Sequence, residues 1–517
     1  MRSYSLLIDG VEETGKGWTY VVPASDLISD PEGTFTFKRQ LELGNIDPSV
    51  SHPRTIAGRC AWGGVDECRR AVAAAAGAQK EFARIPLKHR VAIVSAVHDE
   101  MKRRFDEIIE ILVTEGHPCR LAEWELSGML SATCPETLGW VSEQIEREFH
   151  WNTQRLRMVR KPDGVICVNP PQNAAASNGF MGGLALLTGN TVVVRAPQST
   201  PLGVMYLYHE VLRPVLEKWG APPGTVNVIS GEGRAITTCW LEDPRVDSLF
   251  FFGDSNTGLR IGLECVEKGK KALLELSGND GLVVWRDADL DAAADALLEC
   301  FYGSSQICMV PKFAIVHPVI AEDFLDRLLA RVRKLEPGYP DDPKTVLTPV
   351  FKVGQFLEML AEAKQEGAEV LCGGRRVGVN GIPSHQGLFV EPTVVRVYGF
   401  ESADRLACVR EETFFPLLPV VLPEPAPDDE LLEDTIEFLN SNRYGLRNSL
   451  WSRDERTIDR FTNDVRTAGL LKVNASHIGF APYLATHGGI GRSGGPYGEM
   501  NYVSLRLSRL QGIQIVS

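Results

Sequence analysis

Residues 248–258 read SLFFFGDSNTG, which is a short apolar run, a glycine and the start of a helix. Such a run is typical of a buried strand, and the glycine lets the chain turn sharply into the helix. The free N–H groups at a helix start favour an anionic ligand. The stretch therefore predicts a strand–turn–helix unit of a parallel sheet, although a glycine turn alone is also common as a plain connection.

Three comparable apolar runs precede this stretch. They are residues 164–168 (GVICV), 191–194 (TVVV) and 226–229 (VNVI), and a further run follows at 282–284 (LVV). Short β-branched strands that alternate with helices indicate a parallel sheet with crossover connections. Apolar residues that recur at helical intervals between Val65 and Leu112 predict helices before the sheet. The predicted fold class is α/β.

Two segments outside this alternation predict a separate β element. Residues 146–160 begin with a polar stretch and continue with alternating polar and apolar residues, which favours a hairpin or an exposed strand. Residues 502–517 also alternate between polar and apolar residues, as a terminal strand does. An unpaired terminal strand leaves free backbone groups that another subunit can pair with. Elsewhere, residues 30–33 (DPEG) are interpreted as a turn.

The composition of the 517-residue chain excludes several classes of protein. A net charge of −13 argues against nucleic acid as the main partner, because phosphate backbones need a basic face. No apolar segment reaches membrane-spanning length, and the first ten residues lack a signal-peptide pattern. The eleven cysteines include no C-x-x-C pair, which argues against zinc and disulfides. We expect a cytoplasmic protein without membrane, nucleic-acid or metal partners.

Two fragments could carry chemistry. Residues 303–308 (GSSQIC) place Cys308 in a loop of small residues, and residues 274–278 (LELSG) place Glu275 inside an apolar run. One cysteine among eleven is most often inert packing, and the glutamate alone is equally consistent with the exposed end of a strand. Either fragment by itself leaves both interpretations open.

Their order and spacing resemble the aldehyde dehydrogenase superfamily. A strand, a glycine turn and a helix are followed by Glu275 and, thirty-three residues later, by Cys308. Further blocks similar to the family occur in the same order from about Arg59 onward: 164–173 (GVICVNPPQN), 187–197 (LTGNTVVVRAP), 222–227 (PPGTVN), 287–291 (DADLD), 387–393 (GLFVEPT), 410–414 (REETF), 440–446 (NSNRYGL) and 488–494 (GGIGRSG). Chance does not account for so many similar blocks in the same order as in the family.

The resemblance implies roles for three residues. Cys308 would attack an aldehyde carbonyl, and Asn173 with the backbone N–H of Cys308 would stabilise the resulting oxyanion. Glu275 would take a proton from the water that hydrolyses the thioester. A carboxylate among apolar residues is expected to have a raised pKa, which suits a base.

The resemblance also implies NAD or NADP as cofactor. The residues that match its binding positions are Arg195, Gln198, Gly233, Gly253, Ser255, Gly258, Glu412 and Phe414. Arg195 stands where the family has lysine, and Gln198 stands where it usually has glutamate. The loss of that charge, with Arg234 nearby, predicts that NADP is tolerated or preferred. Asp254 and Phe415 replace a small hydroxyl residue and a glycine of the family.

Small residues follow Asn173 where many relatives carry large aromatic ones. Residues 174–177 (AAAS) therefore predict a wide entrance and a bulky or aromatic aldehyde as substrate, oxidised to its carboxylic acid. Glu499 lies near the position of a family proton-relay glutamate.

The resemblance implies three structural units and a homodimer or homotetramer. They are a Rossmann-type cofactor domain (1–142 and 161–276), an α/β catalytic domain (277–483) and a small β oligomerisation element (143–160 and 484–517).

Three alternatives stay open. A CoA-acylating dehydrogenase or acyl-CoA reductase would resolve the thioester with a thiol, although such relatives commonly lack the glutamate base. A catalytically silent relative would act as a binding or structural protein. A thiol hydrolase or acyltransferase would need a histidine beside Cys308, and no motif supplies one.

Overall fold

The strand–turn–helix unit at 248–258 is present in the computed structural model, which describes residues 1–50, 52 and 54–516. Ser51, Pro53 and Ser517, which belong to the predicted 1–142 and 484–517 segments, lie outside the described residues. Two seven-stranded, mostly parallel sheets with flanking helices form the body of the molecule. The predicted α/β class is confirmed.

The first large sheet contains the four apolar runs predicted as strands. Its order is Lys271–Glu275, Ser248–Phe252, Val165–Asn169, Thr191–Ala196, Val226–Ser230, Leu6–Ile8 and Val11–Glu13. The first five strands are parallel, and Leu6–Ile8 pairs antiparallel with both of its neighbours. The strand order reverses next to Val165–Asn169, because later strands are added on its other side. Such a reversal leaves a crevice at the carboxyl ends of the strands, where α/β proteins bind ligands.

Helices cover both faces of this sheet. They are Val65–Phe82, Leu87–Arg103, Phe105–Thr114, Cys119–Thr133, Pro135–Ile145, Ala175–Met181, Leu202–Tyr206, Arg213–Lys218, Gly233–Glu242 and Ser255–Glu267. A three-stranded sheet of Arg2–Tyr4, Gly58–Trp62 and Gly17–Val21 and the helices Ala24–Ser29 and Pro31–Glu42 complete the N-terminal part. The turn predicted at 30–33 is wrong: Asp30 accepts a hydrogen bond from the N–H of Gly33 and caps a helix whose first residue is Pro31.

The second large sheet has the order Glu369–Cys372, Thr393–Tyr398, Leu417–Leu422, Pro311–Val316, Asp280–Val284, Arg447–Trp451 and Leu470–Val473. Its helices are Leu290–Leu297, Ala321–Val332, Val353–Gln365, Phe400–Arg405, Ala407–Arg410, Asp428–Asn440 and Glu455–Asp464. Two short pairs, Arg376–Val377 with Phe389–Val390 and Tyr444–Gly445 with Ile490–Gly491, flank it. The sheet carries a separate apolar core on each face.

A small antiparallel sheet projects from this body. It consists of Glu146–Trp151, Gln154–Pro162 and Ser508–Val516. The tail predicted as one strand from Tyr502 first forms the short helix Val503–Arg506, because Val503 and Leu507, four residues apart, are both buried. Of the predicted 484–517 segment, residues 484–507 lie outside the small sheet.

Within the described ranges, no helix is both long and apolar enough to cross a bilayer. The same residues contain no group of three histidine, cysteine or acidic side chains arranged to hold a metal ion.

Candidate active site

One cavity of about 220 Å³ brings together residues that adjoin strands of both large sheets. Among the predicted site residues, its lining includes Cys308, Glu275, Asn173, Gly253, Glu412 and Phe414. The other five, namely Arg195, Gln198, Gly233, Ser255 and Gly258, lie away from this lining. The cavity therefore unites the three residues predicted to act on the substrate with part of the predicted cofactor set.

The loop before Cys308 has an unusual backbone. Gly303, Ser304 and Ser305 adopt φ values of 59°, 53° and 62° in succession. Left-handed backbone in non-glycine residues costs about 1 kcal/mol or more and needs support from its surroundings. That support comes from Ser304, whose Oγ donates to the carbonyl of Thr348 at 2.7 Å and accepts from the Thr348 N–H at 2.9 Å.

Lys312 stabilises this loop through hydrogen bonds from its side chain. Its fully buried Nζ donates to the carbonyl of Ser305 at 2.6 Å and to that of Thr413 at 2.8 Å. It thereby joins the Cys308 loop to the segment of Glu412 and Phe414. The sequence analysis missed Lys312, although a lysine inside the apolar run 309–316 (MVPKFAIV) was a usable signal, since buried lysines are rare.

Cys308 itself is half-buried at the cavity wall. Burial raises the pKa of its thiol to about 12, and the carboxylates of Glu412 and Glu275 contribute in the same direction, whereas Lys312 opposes them. The backbone N–H of Cys308 has no acceptor among the described residues. Gly278 makes room for the loop, because a Cβ there would meet the Cys308 carbonyl oxygen at 2.0 Å.

Glu275 ends the edge strand of the first sheet and is only 5% exposed. Burial raises the pKa of its carboxyl to about 8. Asn501 donates from Nδ2 to Glu275 Oε1 at 2.7 Å, which partly opposes that rise. Glu499, near the family's proton-relay position, is exposed and paired with Arg506 instead, so Asn501 is the neighbour that the sequence analysis missed.

Asn173 lies beside the Cys308 loop, where its Nδ2 donates to the carbonyl of Gln306 at 2.7 Å. Its backbone carbonyl accepts a hydrogen bond from His117, whose Nδ1 lies 2.7 Å from Glu125 Oε2. Burial opposes charge on both groups, yet their pairing raises the pKa of His117 and lowers that of Glu125. This buried pair holds the backbone beside the predicted oxyanion site.

The residues after Asn173 do not all face the cavity. Ala174 and Ser177 line it, whereas Ala175 and Ala176 are buried in the core. Only part of the predicted small-residue wall therefore borders the cavity.

The cofactor candidates at the first sheet cluster at its carboxyl edge. Arg195 Nε donates to Asn169 Oδ1 at 2.8 Å, and its terminal nitrogens have no partner among the described residues. Gly233 begins a helix, and a Cβ there would lie 3.4 Å from the Arg195 guanidinium carbon. Gln198 is exposed nearby along the chain. The carboxylate of Glu232 already accepts two N–H groups at this helix start, so the free guanidinium and the crevice are the features that suit an anionic dinucleotide.

Two of the predicted cofactor-binding residues lie in the helix Ser255–Glu267 and make structural contacts there. Ser255 is 2% exposed and donates from Oγ to the carbonyl of Arg492 at 2.6 Å, which leaves its hydroxyl without a free donor. Gly258 lets the helix approach the sheet, because a Cβ there would meet a Leu276 methyl at 2.1 Å. Asp254 lines the cavity and caps this helix through the N–H of Thr257 at 2.9 Å.

The second sheet contributes Glu412 and Phe414. Glu412 Oε1 accepts from the Gly278 N–H at 2.8 Å, and burial raises the pKa of its carboxyl. Lys312 and Lys352 lie 5.2 Å and 5.9 Å from the centre of the Phe414 ring. Phe415, which replaces a family glycine, is buried against Phe356 and so packs in the core.

Proteins that are similar along most of this chain are named as aldehyde or semialdehyde dehydrogenases. Betaine aldehyde dehydrogenase of Beta vulgaris, a chloroplastic protein, is 28% identical over 509 residues, covering 94% of this chain and 96% of its own. Peroxisomal aminoaldehyde dehydrogenase 2 of Pisum sativum is 30% identical over 409 residues, or 76% of each chain. Succinate-semialdehyde dehydrogenase (NADP(+)) of Escherichia coli is 28% identical over 460 residues, covering 86% of this chain and 89% of its own.

Solved structures share the fold. The NAD-dependent aldehyde dehydrogenase from Sinorhizobium meliloti aligns with a TM-score of 0.82 at 24% identity, covering 100% of this chain and 95% of that one. Glyceraldehyde-3-phosphate dehydrogenase from Methanocaldococcus jannaschii, complexed with NADP, aligns with a TM-score of 0.77 at 22% identity, covering 91% and 99%.

The aldehyde dehydrogenase family model matches residues 39–508, which include every predicted site residue. The match confirms the predicted family, fold class and enzyme class, and the cofactors in the relatives' names agree with the prediction of NAD or NADP. The chain belongs to the aldehyde dehydrogenase family.

Proposed function

We propose that the protein oxidises an aldehyde to its carboxylic acid through a thioester on Cys308 that water hydrolyses with Glu275 as base. The observation that carries this proposal is the shared cavity, which is lined by Cys308, Glu275 and Asn173. Nucleophile, base and oxyanion donor are the three groups that such an acyl transfer requires.

The Cys308 thiol gives up its proton to solvent, its sulfur forms a bond to the aldehyde carbon, and the carbonyl oxygen becomes an oxyanion. The free N–H of Cys308 and the Asn173 amide stabilise that charge, and one such donor is worth about 3 kcal/mol. Nicotinamide, when bound, supplies the oxidant that turns this adduct into a thioester. Glu275 then takes a proton from water, the water oxygen bonds to the acyl carbon, and the thiolate leaves as the acid is released.

This assignment predicts the pH dependence of hydrolysis. Only the ionised carboxylate accepts a proton, and the pKa of Glu275 is about 8. We expect the steady-state rate, where hydrolysis limits it, to rise with pH to a plateau, with its midpoint near the pKa of Glu275. Stopped-flow measurements separate the initial burst of reduced nicotinamide from this slower phase. A steady-state rate independent of pH across this range would contradict the role of Glu275.

NAD or NADP would be held by Arg195, Gly233 and the turn at Gly253, with Glu412 and Phe414 at the nicotinamide end. Arg195 offers unpaired guanidinium nitrogens and Gln198 adds no negative charge, although the carboxylate of Glu232, which caps the helix at Gly233, lies near Arg195. We expect efficient turnover with NADP, and we expect Gln198→Glu to lower kcat/KM for NADP relative to NAD about tenfold. Parallel kinetics with both cofactors measure the ratio, and a strong wild-type preference for NAD would contradict the prediction.

The substrate we propose is bulky or aromatic. Trp124, Met129, Met181 and Phe480 line the cavity beyond Cys308, and large apolar walls favour large apolar groups. The names of the relatives point to aminoaldehydes and succinate semialdehyde as well, so these belong in the comparison. The decisive test is formation of reduced nicotinamide by purified protein with small, long-chain, aromatic, amino- and carboxy-aldehydes.

The same assay, with and without CoA, separates the alternatives. Turnover that needs CoA would favour an acylating dehydrogenase, and cofactor binding without any turnover would favour a silent relative. The cavity-lining histidine, His487, gives little support to a thiol hydrolase, because burial lowers its pKa to about 3 and leaves it a weak base.

We further propose a cytoplasmic homodimer or homotetramer. All eleven cysteines are free, which fits a reducing compartment. The small sheet ends in an exposed strand, and Leu263, Val266 and Tyr497 are exposed around a second, wide cavity. Pairing of subunits through these surfaces would cover them. A mass near 57 kDa by light scattering would contradict this proposal.

A further inference from the structure

His487 presents one of its ring nitrogens to the active-site cavity. The residue lines the cavity and is half-buried. Its Nδ1 lies 2.8 Å from Thr486 Oγ1. Its Nε2 has no hydrogen-bond partner among the described residues, and it is not one of their unpaired polar atoms that lack accessible surface. Nε2 is therefore open to a molecule that occupies the cavity.

The hydrogen bonds of Thr486 decide which ring nitrogen of His487 carries the proton. The Thr486 hydroxyl donates to Met181 Sδ at 3.9 Å, so its oxygen accepts the N–H of His487 Nδ1. Burial lowers the pKa of His487 to about 3, and the charge of Arg447 acts in the same direction, so the ring is uncharged at neutral pH. In an uncharged ring that is protonated at Nδ1, Nε2 carries a lone pair. The histidine therefore offers the cavity a hydrogen-bond acceptor.

This acceptor lies beside Glu275. Phe252 and Glu275 are register partners in neighbouring parallel strands, so their side chains leave the sheet on the same face. The ring of His487 packs edge-on against the ring of Phe252, with centres 6.1 Å apart. The next residue along the chain, Gly488, donates its N–H to the carboxylate of Glu275. His487 and Glu275 therefore adjoin on one wall of the cavity.

The backbone that carries His487 is held in place on both sides. Gly488 has a φ of 134°, and a Cβ there would meet the carbonyl oxygen of Glu499 at 2.3 Å, so the position requires glycine. The guanidinium of Arg447, a residue only 2% exposed, donates to the carbonyl of Thr486. A ring on such a backbone keeps one orientation, as a group that acts on a reacting molecule needs.

A water molecule that Glu275 deprotonates needs a second acceptor on this wall. The carboxylate takes one of its protons, and the other O–H must find a partner, because an unpaired O–H in an apolar cavity is unfavourable. Phe252 has no polar atom, and the sulfur of Met181 and the oxygen of Thr486 already accept hydrogen bonds. The free lone pair of His487 Nε2 meets this need.

We propose that His487 is a catalytic residue of thioester hydrolysis, whose Nε2 accepts a hydrogen bond from the water that Glu275 deprotonates. This inference rests on the proposed function. One proton of the water passes to the Glu275 carboxylate, the water oxygen bonds to the acyl carbon, and the bond from that carbon to the Cys308 sulfur breaks. The second hydrogen stays on the oxygen as the hydroxyl of the acid. The imidazole orients the water without taking its proton, which a weak base can do.

The test is His487→Phe, which keeps an aromatic ring against Phe252 and removes both nitrogens. Rapid quenching during turnover, followed by mass spectrometry, measures the fraction of Cys308 that carries the acyl group. The turnover rate divided by this fraction gives the rate constant of hydrolysis, whichever step limits turnover. We expect this constant to fall about tenfold, while the rate of nicotinamide reduction in the first turnover changes by less than about twofold. An unchanged hydrolysis constant, or an equal fall in both rates, would overturn the inference.

A matched pair of variants keeps the test decisive if phenylalanine disturbs the fold. His487→Gln retains a carbonyl oxygen that can accept the hydrogen of the water, whereas His487→Leu has a side chain of similar size without a polar atom. We expect the hydrolysis constant of the glutamine variant to exceed that of the leucine variant about threefold or more, and equal constants would overturn the inference. Wild type that oxidises no aldehyde refutes the proposed function, whereas active wild type with the same hydrolysis constant as these variants refutes only the role of His487.

Discussion

Replacing Cys308 with alanine is expected to lower kcat by about 10⁴-fold or more, because no thioester can form without the sulfur. The loop should keep its shape in the variant. Its left-handed turn is held by Ser304 and Lys312, which make no use of the Cys308 side chain. Formation of reduced nicotinamide with the preferred aldehyde measures the loss, and thermal unfolding checks that the variant is folded.

The matched control is Cys372→Ala. Cys372 is also a half-buried free thiol, and it lies in an edge strand of the second sheet and does not line the cavity. We expect this variant to retain wild-type turnover. Turnover within tenfold of wild type in Cys308→Ala would mean that another group is the nucleophile.

Replacing Glu275 with glutamine is expected to slow the steady-state rate about 10³-fold while the first turnover of reduced nicotinamide persists. Glutamine keeps the shape of the side chain but cannot take a proton from water. Glu499→Gln is the control, because Glu499 is exposed and paired with Arg506. Loss of the burst together with the steady-state rate in Glu275→Gln would assign the residue to the formation of the thioester instead.

This variant should be at least as stable as wild type above neutral pH. Burial raises the pKa of Glu275 in the folded protein from its usual 4.5 to about 8, so the folded state favours the protonated form. That contribution to the free energy of unfolding is present below pH 4.5 and is lost as the pH rises through about 8. Glutamine, which does not ionise, avoids the loss, so a fall in activity cannot be attributed to unfolding.

Four strands of the first sheet were predictable because they are continuous apolar runs that end at glycine or polar residues, whereas the strands Lys271–Glu275, Leu6–Ile8 and Val11–Glu13 were not predicted. The error at Asp30–Gly33 arose because aspartate before proline starts helices as well as turns. The helix Val503–Arg506 was missed because a single turn shows almost no periodicity before its burial is known. Sequence patterns therefore captured the apolar strands of the first sheet, missed most elements of the second and failed at single turns.

The candidate site was predictable where spacing along the chain carries information, as for Cys308 and Glu275. Contacts between distant segments were not. Asn501 reaches Glu275 across 226 residues of sequence. Ser255 matched the family pattern, yet its hydroxyl is taken by the Arg492 carbonyl.

We propose that a thioester on Cys308 is hydrolysed with the help of Glu275. The most direct test is mass spectrometry of Glu275→Gln after mixing with an aromatic aldehyde and NAD or NADP, followed by peptide mapping. We predict a mass increase equal to the acyl group less the thiol hydrogen that it replaces, carried by the peptide that contains Cys308. An unmodified protein after one turnover of reduced nicotinamide, or an acyl group on another residue, would contradict the account.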